Sequence, residues 1–159
     1  MDKLVLRKAI EEELTRELDV FERAAKDAWE GATHEENRPE GSKDMRSTEA
    51  SYVAYGQSVR VRDARDSLSK FAGFTEDIHA NVRVSMGSVF EAHWTDAKGS
   101  TGVVWYFVVP VGGGLQLQCE GVRVVSLTPE SPLGAAFAGR VVGDEIRFNN
   151  RDYELISLQ

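Results

Sequence analysis

Five carboxylates, Glu35, Glu36, Glu40, Asp44 and Glu49, crowd a short stretch broken by Pro39-Glu-Gly-Ser42. Carboxylate oxygens are hard ligands suited to magnesium, which keeps several waters and often takes only one or two carboxylates from a given protein. A turn so equipped could complete a metal site belonging to another macromolecule. The plainer alternative is a solvated loop, because helix ends and charge runs usually face water. Other chemistry finds little support. His34-Glu-Glu-Asn-Arg38 opens like a zincin motif but has no second histidine four places on. His79 and His93 lack Cys or His neighbours at metal spacing, which argues against a built-in zinc site. No Gly-x-Ser-x-Gly elbow is present, and Gly112 to Gly114 does not lead into a phosphate-binding Gly-Lys-Ser/Thr. Cys119 ends the alternating run Leu115-Gln-Leu-Gln-Cys119, where a small core residue is expected.

The acidic stretch lies between two helical patterns. Ile10, Leu14, Leu18, Phe21, Ala25 and Ala28 recur in steps of four and three, on one face of a helix. The pattern fades at Gly31 and resumes at Ala50, Ala54, Gln57, Val61, Ala64, Leu68 and Phe71, in heptad-like steps. Gln57 is the polar exception. Ser47 or Thr48 could cap the second helix, with Glu49 in its first turn; Asp44 is the alternative cap. Two narrow apolar stripes joined by a turn are buried most economically against each other, in an antiparallel coiled-coil hairpin. Helices of about 28 residues would extend roughly 40 Å. Ala25, Ala28, Ala50 and Ala54 would let the helices approach closely near a slim tip. Two helices of a globular bundle would show the same stripes.

After Gly73 the composition changes. Val82–Met86, Val89–Trp94, Val103–Val109, Leu115–Cys119 and Val122–Leu127 read as strands. Asp96 to Gly99 and Gly112 to Gly114 supply turns. Glu145–Phe148 and Tyr153–Leu158 flank a hairpin signal at Asn149-Asn-Arg-Asp152. Leu133 to Ala138 suffices for one short helix. His93 and Trp94 read as sheet residues and Trp105 as core. The expectation is an α+β chain, with a hairpin over residues 1–74 and a mostly antiparallel β domain with one short helix over 75–159.

The whole chain sets further bounds. Its 159 residues allow one domain or two small ones. A net charge of -7 argues against a broad basic face that coats nucleic acid. One cysteine permits no intrachain disulfide and suits a reducing compartment. The N-terminus reaches charges too soon for a signal peptide, and the longest apolar run, Val103 to Val111, is too short to span a bilayer. A cytoplasmic monomer with no membrane contact is the expectation.

The segment Ser131-Pro-Leu-Gly134, Gly139-Arg-Val-Val-Gly-Asp144 and Tyr153-Glu-Leu-Ile156 resembles the end of the bacterial Gre transcript-cleavage factors. Each residue also has a local reason: Ser131 to cap a helix, Pro132 for its first turn, Gly139 for its end, Gly143-Asp144 for a turn. The resemblance implies an N-terminal coiled coil followed by an FKBP-like domain, without implying prolyl isomerase activity. It implies RNA polymerase as partner, with the coiled coil entering the secondary channel near the backtracked RNA 3′ end. Acidic tip residues would then help hold an Mg²⁺ in the polymerase active site, with no intrinsic cofactor, so that the chain assists hydrolysis without being the enzyme. Asp44 and Glu49 lead as metal ligands and catalytic assistants, followed by Glu40, Glu36 and Glu35. Arg38, Lys43 and Arg46 are either contacts to RNA or polymerase acids, or ordinary surface cations. The family tip resembles Gly-Asp-Leu-Ser-Glu-Asn-Ala-Glu-Tyr, with acids seven and four places before the tyrosine. Matching Tyr52 to that tyrosine puts Met45 and Thr48 there, with Asp44 and Glu49 each one place away. Two rivals remain: a non-cleaving regulator docked in the same channel, and a coiled-coil interaction module unrelated to polymerase.

Overall fold

The computed structural model describes residues 1–33, 46–75 and 82–159, without the side chains of Arg46 and Ser47. The chain forms two compact units, Glu12–Ser69, and Met1–Glu11 with Lys70–Gln159. Two helices, α1 (Lys3–Thr33) and α2 (Arg46–Ala72), form the N-terminal hairpin. Asp2 starts α1: its Oδ1 accepts the Leu4 N–H at 2.9 Å, satisfying a donor that no earlier turn can reach. Helix α2 begins at Arg46, so Ser47 and Thr48 lie inside its first turn and not at its cap; Asp44 is outside the described residues.

Every residue of the two predicted stripes is buried or half-buried, from Ile10 to Ala28 and from Ala50 to Phe71. Within Glu12–Ser69, Arg65 bonds Glu22 at 2.6 Å across the helices, and the Arg60 guanidinium lies 6.0 Å from the Phe21 ring centre. Both contacts are exposed, so they set the pairing more than they stabilise it.

The second unit is built on a six-stranded sheet. Its strands are β1 (Val89–Asp96), β2 (Thr101–Val108), β3 (Gln116–Cys119), β4 (Val122–Leu127), β5 (Glu145–Phe148) and β6 (Arg151–Leu158), in the order β3-β4-β2-β1-β6-β5. The expectation of a mostly antiparallel sheet holds for four of the five described pairings and is corrected at the fifth. The sheet is mixed, because β4 runs parallel to β2, with Tyr106 opposite Val125. The chain leaves β2, adds β3 at the edge and returns through a tight hairpin, which places β4 between them in the direction of β2. Alternation reports which face a residue occupies and not the direction of its neighbour.

The stretch Val82–Met86 is not a strand. Val84 instead makes two backbone bonds with the segment after α3 (Pro132–Phe137): its N–H donates to Arg140 O and its carbonyl accepts from Gly139 N, both at 2.8 Å. Gly87, at φ 82°, then turns the chain into β1.

Both faces of the sheet are covered. On one, Phe137 of α3 stacks at 4.8 Å from Phe90 and 5.7 Å from Tyr106, with Tyr153 edge-on at 5.8 Å. On the other, Phe74 lies 6.4 Å from Phe107 and 5.9 Å from Phe71, which is fully buried.

The Ser-Pro-Leu-Gly segment has a steric cause. Ser131 Oγ accepts the Gly134 N–H at 3.1 Å, and Pro132 fills the first helical turn, where an N–H would have no partner. A Cβ on Gly134 would fall 1.9 Å from the Thr128 carbonyl oxygen, so only glycine fits. The β5–β6 loop is two residues, Asn149 and Asn150, at φ 49° and 62°. Both lie in the left-handed region a tight twisted hairpin needs, and asparagine tolerates it.

Candidate functional site

Of the five acids, the structure describes Glu49 alone. It sits exposed in the first turn of α2, where unpaired backbone N–H groups favour a negative charge. Asp44, Glu40, Glu36 and Glu35 lie outside the described residues, as do Arg38 and Lys43, and the Arg46 side chain is not described. Among the described residues no group of three or more His, Cys, Asp or Glu is placed to hold a metal ion. A single exposed carboxylate can contribute to a cation held elsewhere but cannot hold one unaided.

About one and a half to two turns beyond Glu49 the hairpin seam changes character. Ala54 is buried, and the Gln57 Oε1 is buried with no hydrogen-bond partner among the described residues. Gln57 was marked in the sequence by its interruption of the heptad. That it leaves an oxygen unsatisfied was not readable there, because an amide at such a place often finds a partner.

Elsewhere the candidate side chains have structural duties. Cys119 is buried, with Sγ 3.9 Å from the Asp2 carbonyl oxygen. His93 projects from β1 with Nε2 2.9 Å from Glu91 Oε1, and Ser157 Oγ lies 3.5 Å from the other Glu91 oxygen. Trp94 lies flat over Gly102, where a Cβ would come within 2.6 Å of the ring, and Arg151 covers it at 4.1 Å. Trp105 is half-buried.

Sequence reasoning missed a cavity of about 520 Å³ beside α3, lined among others by Tyr106, Thr128, Pro132, Leu133 and Phe148. No charged residue lines it. Burial, reinforced by the neighbouring Tyr153 hydroxyl, pushes the Tyr106 phenol above its ordinary range, so it stays protonated. A phenol held protonated cannot serve as a base, and the other lining residues carry no titratable side chain.

No family model and no curated protein matches the chain. Among solved structures, GreA factor homolog 1 (Gfh1) of Thermus thermophilus is 19% identical over 94% of each chain, with a TM-score of 0.37. Thermus aquaticus Gfh1 is 20% identical over 95% of this chain and 94% of its own, again at 0.37. A further structure, described as the transcription factor Gfh1, is 18% identical over 95% and 94%, at 0.39. Overlaps this loose carry neither fold nor function across.

Among the described residues no helix is long and apolar enough to cross a membrane.

Proposed function

We propose that this chain is a Gre-like transcription factor that binds the secondary channel of RNA polymerase and stimulates cleavage of backtracked RNA. One observation carries the reading: the Gre-like segment from Ser131 to Leu158 follows an N-terminal helical hairpin, and its residues have matching local roles. Ser131 caps α3, Gly139 and Gly143 take φ of 75° and 90°, and Tyr153 and Leu155 are core residues of β6.

In this reading the polymerase supplies most of the site and the Mg²⁺. Asp44 and Glu49 would add carboxylate oxygens to that ion, with Glu40, Glu36 and Glu35 as the next candidates. The ion in a two-metal hydrolysis lowers the pKa of a bound water and steadies the charge of the attacked phosphate. This chain's part is to bring the carboxylates to the polymerase and orient them.

The non-cleaving regulator is kept as a second reading, because the tip departs from the family at the places that matter. With Tyr52 as anchor, Met45 and Thr48 occupy the acid positions.

A cleavage assay on a stalled, backtracked elongation complex tests both. Stimulation by the wild-type chain, lost in the double substitution Asp44→Ala with Glu49→Ala, supports the first. Binding without stimulation supports the second. Undiminished cleavage by the double variant removes the assigned carboxylates.

A further inference from the structure

The exposed side of α2 differs from that of α1. Between Glu12 and Glu30, α1 carries ten charged residues in nineteen. Between Thr48 and Val59, α2 carries one in twelve, Glu49. Yet Thr48, Ser51, Tyr52, Val53, Tyr55, Gly56 and Ser58 are all exposed. Tyr52 is 72% exposed, Tyr55 69% and Val53 56%. Tyr52 and Tyr55 are three residues apart, so they share one helix face, turned away from the Ala54–Val61 seam.

Gly56 follows Tyr55 and lies four residues past Tyr52, beside it on the helix surface, and nothing among the described residues explains it. It sits inside a helix, where glycine is unfavourable relative to alanine. A Cβ there would meet no atom within 4 Å among the described residues, so neither their packing nor the backbone geometry requires its absence. Tyrosines, small hydroxyl residues and a glycine notch, with charge removed, are the composition of a protein-binding surface: rigid aromatic area around a place where another backbone comes close.

The charge pattern narrows the occupant. Thr48 to Val59 holds no Lys or Arg, so it offers nothing to neutralise phosphates or an anionic membrane. Its single charge is negative, and tyrosine faces attract cations. The complement is a protein surface that is neutral to basic.

We infer that the Tyr52–Tyr55–Gly56 face of α2 is the surface by which the hairpin docks on RNA polymerase, against a neutral-to-basic protein element and not against nucleic acid. This inference rests on the functional reading above. It assigns the contact to α2's outer face, separately from the acids.

The test is equilibrium binding of the full chain to core RNA polymerase. Tyr52→Ser with Tyr55→Ser should weaken affinity at least about tenfold, as loss of paired aromatic anchors does. Gly56→Gln should weaken it similarly while raising the thermal midpoint, since it fills the notch and improves the helix. Glu17→Ser, on the charged face of α1, should bind within about twofold of wild type, as rim charges usually contribute little. If wild type binds and the α2 variants bind equally well, the inference is overturned and the functional reading stands. If wild type does not bind polymerase at all, both fall. If the same substitutions instead abolish self-association in sedimentation and leave polymerase binding intact, the face belongs to a second copy and the inference is wrong.

Discussion

Single residues set local geometry here in ways that measurement can check. Gly134 is the sharpest case. Gly134→Ala would drive a methyl group into the Thr128 carbonyl, and the expected loss is about 3 kcal/mol, at the upper end of ordinary overpacking. Urea denaturation reads it directly; an unchanged midpoint would contradict the steric account. Asp96 gives a pH-dependent case. The Ser100 backbone N–H, then that of Lys98, hold its carboxylate below the ordinary value of 3.8, with the Arg151 charge helping and burial opposing. Because the folded value is the lower one, the stabilisation is complete above 3.8 and fades as pH falls through the folded value. The carboxyl titration of Asp96 by NMR should have its midpoint under 3.8, and Asp96→Asn should remove that part of the acid dependence. At this scale the sequence was informative for Ser131, Pro132 and Gly139, whose capping preferences are local. It said nothing of why Gly134 must be glycine, since the oxygen it would strike belongs to a residue placed by the fold.

Among the elements, α1 and α2 were legible because a stripe in steps of three and four survives any tertiary arrangement. The hairpin ending in β6 was legible for similar local reasons, but its turn is shorter than the expected Asn149 to Asp152, and the strand begins two residues earlier than expected, at Arg151. The parallel run of β4 beside β2 was hidden, because strand direction depends on where the intervening chain goes. Val82–Met86 misled by composition: its valines suggest a strand, but the partner they found is the short stretch after α3. The acidic bend was legible as composition only; of its acids, Glu49 alone has a described position. The hairpin carries its own prediction at Gln57. Replacing an unsatisfied buried amide with a leucine of similar bulk removes a desolvation penalty, so Gln57→Leu should raise stability by about 1 kcal/mol. A thermal midpoint lower than wild type would mean that the Oε1 is satisfied in solution.

For the unit that holds the sheet, the main fact is that its two faces need different parts of the chain. Phe137 covers one from within the C-terminal stretch, while Phe74, with Phe71 beside it, lies over Phe107 on the other. A fragment beginning at residue 75 should therefore expose Phe107, Val124 and Leu117 and lack a cooperative unfolding transition by circular dichroism. In the full chain, Phe71→Ala should cost about 3–5 kcal/mol, read from sheet residues as well as helical ones. Soluble, cooperative folding of the isolated fragment would count against this division of labour. The sole thiol offers a way to watch it. Cys119 is 3% exposed and lies under the chain's second residue. A thiol-reactive dye added to native protein should therefore label it only as fast as that corner lifts away, and one mass shift on one atom becomes a stopwatch for the opening.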